Sequence, residues 1–216
     1  MRALVTTEIL VFAAIVIADA WGWVPLTQTV ALLPMVLLAI ALQRQPLSSI
    51  GLAVPPRWSR ALSIGVAAGI GMELLGLWVT TPLISLAFGA EPDNSGLKAI
   101  QGNLSLLLVF LGLSWALAAF GEEICFRGFL LERLARLLGG SRAAWWASLA
   151  LSSMLFGWGH TEQGISGWMQ EGINGMWLGL LFMATGRNLT APIVAHGVSN
   201  TLAFVLIYFG HYPGLT

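Results

Sequence analysis

Long apolar runs separated by short gaps that hold almost all the charge are what most constrain this chain. The runs lie near 3–22, 27–43, 61–89, 104–138, 141–161, 172–186 and 190–210. A helix of about 20 apolar residues spans the hydrocarbon of a bilayer. Only helices or closed barrels satisfy their backbone groups there. Runs of this length predict an all-α, polytopic bundle with about seven transmembrane helices, the fourth too long for a simple crossing and the sixth short. Only 9% of residues are charged and 57% are hydrophobic, against about 25% charged in average soluble domains.

Ten Lys and Arg balance ten Asp and Glu, which excludes an electrostatic nucleic-acid binder. The single cysteine, Cys125, excludes an intrachain disulfide framework and any multi-cysteine metal site. Nothing suggests a linker or repeat, so residues 1–216 read as one integral membrane domain. Arg2, Arg44, Arg57, Arg60, Arg133, Arg136, Arg142 and Arg187 fall in or beside alternate gaps; Asp19, Glu91, Asp93, Lys98, Glu162 and Glu171 fall in the others. By the positive-inside rule the chain is a multi-pass cell-membrane protein, with its N-terminus cytoplasmic and its C-terminus outside. Arg2, the first apolar run and Ala18-Asp19-Ala20 superficially imitate a signal peptide; Glu8 within the run weighs against one. Gly65 and Gly69, like Gly175 and Gly179, have the small-xxx-small spacing of close helix packing.

Ionisable residues inside a span are costly, so each is a functional candidate. Glu122 and Glu123 are adjacent and point about 100° apart on a helix, so they suit different jobs. Glu123 and Arg127 share a face and can pair, which leaves Glu122 free to face the bundle interior. Phe156 lies one turn before His160, and His196 one turn before Asn200. Glu122 is 17 residues before Gly139 and His160 is 20 after Gly140. An antiparallel hairpin therefore sets both about 25–30 Å from its tip, able to face each other. His196 joins them if the hairpin projects about 14 Å into the cytoplasm, with Arg133 and Arg136 solvated.

Glu122, His160, His196 and Asn200 then form an acyl-hydrolysis set without a covalent nucleophile. Glu122 serves as general base on a water that His160 holds, and His196 and Asn200 serve as oxyanion donors. Cys125 reads as a small buried apolar residue and Ser199 as a packing hydroxyl. Two other readings use the same residues. In one, Glu122, His160 and His196 are zinc ligands, although the His-Glu-x-x-His signature is absent. In the other, the polar cluster is structural and the protein is a non-catalytic scaffold or immunity protein. Glu8 and Glu73, as extra intramembrane carboxylates, leave a transporter as the residual reading.

The motifs Glu122-Glu123-xxx-Arg127, Phe156-xxx-His160 and His196-xxx-Asn200 resemble, in order, those of the CPBP family. This family comprises the CAAX-type prenyl proteases, bacteriocin-processing enzymes and abortive-infection proteins, described both as metalloprotease-like and as glutamic endopeptidases. Arg127-Gly128-Phe129-Leu130, Thr185-Gly186 and Ser49-Ile50-Gly51-Leu52 are similar too. The resemblance implies an intramembrane glutamic endopeptidase with its protease core at about 104–210, opening toward the cytoplasm. Carried over by position, Glu122 and His160 activate water, His196 and Asn200 stabilise the oxyanion, and Glu123, Arg127 and Phe156 support them. No cofactor and no metal are expected. The expected partners are the lipid bilayer and a peptide or protein substrate, membrane-anchored or prenylated substrates included.

Overall fold

A computed structural model describes residues 2–215. Its long helices are α1 (Arg2–Ala20), α2 (Gln28–Leu42), α3 (Trp58–Phe88), α4 (Leu104–Leu137), α5 (Arg142–Trp158), α6 (Gly164–Ala184) and α7 (Thr190–Tyr208). Among the described residues there is no strand. By length and hydropathy, α1, α3, α4 and α7 can each cross a membrane, and α2 is a shorter apolar helix. The all-α expectation holds, with four helices long and apolar enough to cross a membrane; the count of seven crossings goes beyond this.

Local chemistry sets the helix ends. The Asn103 side chain accepts from the Leu106 N–H at 3.1 Å, and Ser141 Oγ accepts from the Ala144 N–H at 3.1 Å. Each satisfies one of the N–H groups that a helix start leaves over. Pro82 has no N–H to offer, and just before it Gly76–Thr80 wind with the wider i→i+5 pattern. The same wide winding runs through Ser114–Leu131 of α4.

Helix α4 is the axis of the bundle. Its segment from Glu122 to Leu131 is buried throughout, against α2, α5 and α7. Below Glu122, Phe126 meets Phe12 of α1 and Phe156 of α5 edge-on, with ring centroids 5.1 and 5.0 Å apart. Phe129, Leu130, Leu131, Ile50, Phe182 and Leu189 complete this layer. Small residues bring the remaining helices close. A Cβ on Gly65 or Gly69 would strike Ala191, Val194, Ala195 or Val198 of α7, and one on Gly175 or Gly179 would meet Ser153, Phe156 or Leu149 of α5.

Hydrogen bonds fasten the two ends of the bundle separately. At one end, Leu189 N–H donates to Gly51 O at 3.0 Å and Asn188 Nδ2 to Ala53 O at 2.7 Å. Gly51 has φ 80°, and a Cβ there would meet the Arg187 carbonyl, so glycine alone fits. Arg136 and Arg187 pair with Glu132 at this end, at 3.6 and 3.7 Å. At the other end, Asp93 N–H donates to Gln163 O at 3.0 Å and Asn94 N–H to Gly214 O at 2.8 Å. There too, Asn94 Nδ2 donates to Pro213 O at 3.0 Å, and Gly214 N–H to Glu91 Oε2 at 2.9 Å.

Three expectations are corrected. Arg133 is buried, at 2% exposure, rather than solvated. Its Nε lies 2.9 Å from Glu8 Oε2, and its Nη2 donates to Gln43 and Gln45, each at 3.3 Å. The compensating carboxylate comes from α1, which removes the need for water. Helix α6 begins at Gly164 rather than near 172, so Glu171 is helical instead of lying in a loop. Finally, α5 ends at Trp158, which leaves His160 just beyond the helix rather than within it.

Candidate active site

The wide turns of α4 send its two adjacent carboxylates to different places. Glu123 turns inward and is wholly buried, at 0% exposure. Its Oε1 accepts from Arg127 Nη1 and from His196 Nδ1, each at 2.9 Å. Arg127 is 2% exposed; its Nη2 donates to Gly175 O at 3.3 Å, and its guanidinium lies 4.3 Å from the centre of the Phe156 ring. Phe156 thus packs under the cation, and its ring centroid lies 5.0 Å from that of His160 and 6.3 Å from that of His196. Gly128, next along α4, sits where a Cβ would meet the Ile50 carbonyl. Its lack of a side chain lets the Ser49–Leu52 loop close against the helix.

Glu122 faces a different space, a cavity of about 160 Å³ that it lines together with His160, His196 and Asn200. Among the described residues its one hydrogen bond is a long one, from Thr29 Oγ1 at 3.4 Å. Helix α7 supplies His196 and Asn200 one turn apart, and Gly197 between them gives the Trp115 indole room against the helix. Asn200 Nδ2 donates to Ser114 Oγ at 3.0 Å, and Trp115 Nε1 to Thr201 Oγ1 at 3.1 Å, which join α7 to α4.

The partners of the two imidazoles fix their tautomers. His160 Nδ1 lies 2.9 Å from the Phe156 carbonyl, which can only accept, so Nδ1 carries the proton and Nε2 keeps its lone pair. His196 Nδ1 faces a carboxylate oxygen that already accepts from Arg127, so the same holds for His196. In its neutral form each ring can accept a hydrogen bond or a proton at Nε2. To donate there, His196 must take a second proton, and Glu123 is placed to stabilise the resulting imidazolium.

All four residues expected to do chemistry border one space, with Glu123, Arg127 and Phe156 beneath it. The sequence reading missed Asn94, Gln163, Glu171 and Tyr212, which line the same cavity. Glu171 had a readable signal: Gln170, Glu171 and Asn174 place three polar side chains at helical spacing, and Asn174 Nδ2 donates to Glu171 Oε2 at 3.2 Å. Asn94 and Tyr212 had none. Burial, with Glu73 and Glu171 alongside, raises the Tyr212 phenol well above its ordinary range, so it meets the cavity as a neutral group. Ser199, expected to be a packing hydroxyl, donates to Glu73 Oε2 at 2.6 Å, and Cys125 is a buried free thiol in the core. Among the described residues no three His, Cys, Asp or Glu side chains are gathered so as to hold a metal ion.

Residues 104–202, somewhat less than half of the chain, match the family described as Type II CAAX prenyl endopeptidase Rce1-like. No curated protein and no solved structure matches the chain. The matched stretch runs from the start of α4 into α7 and holds all three motifs, with Glu122, His160, His196 and Asn200. Through that stretch, the chain is similar to the Type II CAAX prenyl endopeptidases.

Proposed function

We propose that the protein is an intramembrane glutamic endopeptidase, with Glu122 as general base. The convergence of Glu122, His160, His196 and Asn200 on one small cavity supports this reading. A water held between the Glu122 carboxylate and His160 Nε2 gives its proton to Glu122 as its oxygen attacks the scissile carbonyl carbon. The Asn200 amide and the His196 imidazolium, with Glu123 as its counter-charge, stabilise the oxyanion. Glu122 then passes the proton to the departing amine, and the carbon–nitrogen bond breaks to give an acid and an amine. Arg127 and Phe156 hold Glu123 and the two imidazoles in register.

The seven long helices are read as seven crossings of one domain, with the protease core at about 104–210. The Arg-bearing end and the N-terminus lie in the cytoplasm and the C-terminus outside. The substrate is a peptide or protein, and the chemistry at Glu122 is the same whether or not that substrate carries a prenyl group.

The test compares protein termini in cells carrying wild type with those in cells carrying Glu122→Gln at equal membrane abundance. Termini that occur only with wild type are expected. An unchanged profile, with a cellular phenotype rescued by Glu122→Gln, would favour a scaffold. Chelation should leave cleavage by the purified protein intact; loss of activity restored by zinc would favour the metal version.

A further inference from the structure

One face of α6 runs along the end of α5. On it Gly167, Glu171 and Gly175 follow one another at four-residue spacing, so their side-chain positions line up. A Cβ on Gly167 would lie 3.2 Å from the His160 carbonyl oxygen, and one on Gly175 would lie 3.2 Å from the Phe156 ring. Glu171 stands between these two close approaches, beside the packed Phe156 and His160 rings. Its carboxylate and the His160 imidazole border the same cavity of about 160 Å³. A run of side chains tied back to α3 holds the carboxylate there. Thr80 and Thr81 Oγ1 donate to Gln170 Oε1 at 2.9 and 3.2 Å, and Gln170 Nε2 donates to Asn174 Oδ1 at 3.4 Å. Asn174 Nδ2 in turn donates to Glu171 Oε2 at 3.2 Å.

His160 has its Nδ1 on the Phe156 carbonyl at 2.9 Å, so Nε2 is the nitrogen left for the cavity, which Glu122 of α4 and Glu171 of α6 both border. We infer that Glu171 is a positioning residue that acts through His160: its carboxylate is the counter-charge beside which the imidazole takes up a proton at Nε2. In turnover, the proton that Glu122 draws from the water is shared with His160 Nε2 until the carbon–nitrogen bond breaks and the amine takes it. That role rests on the protease reading; the pairing of Glu171 with His160 does not. Other titratable groups face His160 as well: His196 of α7 and Tyr212 in the cavity wall, Asp19 at the end of α1, and Glu162 in its own loop. Burial opposes a charged imidazole, yet Glu171 first, then Glu122 and Glu162, outweigh it and raise the His160 pKa above its ordinary value. Glu162 is exposed, so water and salt screen it, whereas Glu171 is half-buried in the wall.

Histidine titration tests this without turnover. The full chain, isotope-labelled at its three histidines and held in micelles, is titrated by NMR, with His160→Gln and His211→Gln assigning the signals. Glu171→Gln should lower the His160 pKa by about one pH unit, a tenfold weaker hold on the proton. Glu171→Ala removes the same charge without placing an amide there and should do the same. Glu171→Asp keeps the charge and should restore most of the shift, and Glu162→Gln should move His160 by less than half as much. A His160 pKa that stays in place in both Glu171→Gln and Glu171→Ala overturns the proposal, as does one that moves equally far in Glu171→Asp or Glu162→Gln. In cleavage of a protein whose termini depend on Glu122, Glu171→Gln should lower kcat and leave KM, with part of kcat recovered in Glu171→Asp. A loss confined to KM overturns the role in turnover. If no termini depend on Glu122, the protease reading fails, and the titration still decides whether Glu171 is the partner of His160.

Discussion

Removing the charge of Glu123 should cost more stability than any other single isosteric change at the site. In Glu123→Gln the shape is kept and His196 Nδ1 still finds a carbonyl oxygen, but Arg127 loses its salt-bridge partner, 2.9 Å away. What remains to the guanidinium is the Gly175 carbonyl at 3.3 Å and the Phe156 ring at 4.3 Å. Both partners are at most 2% exposed, so the solvent screening that makes surface ion pairs weak does not apply. Leaving a buried charge without its partner costs about 3–5 kcal/mol, whereas replacing both charges with neutral groups of similar volume is often close to neutral. Glu123→Gln is therefore expected to lose about 3–5 kcal/mol. Arg127→Met loses less, because His196 remains as a donor to Glu123. The double variant should return close to wild type. Equilibrium unfolding in mixed micelles, run as a double-mutant cycle, reads the coupling, which should far exceed the scatter of about 0.3–0.5 kcal/mol between independent sites. Additive losses, or a Glu123→Gln protein as stable as wild type, would refute the argument that this pair holds α4 in place.

Three further changes test the packing and the ion pairs of the bundle. Gly69→Ala drives a methyl into the Ala195 carbonyl of α7, which cannot yield, and should lower thermal stability by about 1–3 kcal/mol. Gly71→Ala, whose methyl meets only the Trp177 ring at 3.9 Å, should be neutral or slightly stabilising in the same melt. Glu8→Gln removes the ion-pair partner of buried Arg133 and should cost toward the lower end of about 3–5 kcal/mol, since the Gln43 and Gln45 carbonyls stay in place. Equal melting of Glu8→Gln and wild type would mean that Arg133 reaches water after all.

What the sequence made legible follows from the solvent it implies. In lipid an apolar run must be a helix, so the positions of the long helices could be read directly. The four side chains around the cavity were the polar residues that had no other reason to be in such runs. What stayed hidden depends on partners far apart in the chain. Arg133 was read as solvated because its carboxylate, Glu8, is on another helix, and nothing local announces the pair. Glu171 was placed in a loop because Gly164, Gly167 and Gln170 depress the hydropathy of the first turns of α6. There Gly167 and Gln170 face protein rather than lipid, with Gln170 Oε1 accepting from Thr80 and Thr81 of α3. The cover over the cavity is stitched largely by backbone groups of residues 93, 94, 163, 213 and 214, which leave no side-chain signature.

The adjacent carboxylates of α4 are the point at which structural and chemical roles can be separated. Glu123 is committed: one oxygen serves Arg127 and His196 together, and any proton it took up would uncouple both. Glu122 is uncommitted, held among the described residues only by the 3.4 Å contact from Thr29, and it borders the cavity. A base needs that freedom, and a scaffold has no use for it. Glu122→Gln should therefore keep the stability of wild type, within the ±0.5 kcal/mol or so typical of substitutions that break no buried network, while losing the protein's proteolytic products. Glu123→Gln should lose stability first and activity as a consequence. If Glu122→Gln melts as early as Glu123→Gln, both carboxylates are holding the bundle together, and the scaffold reading takes the place of the protease.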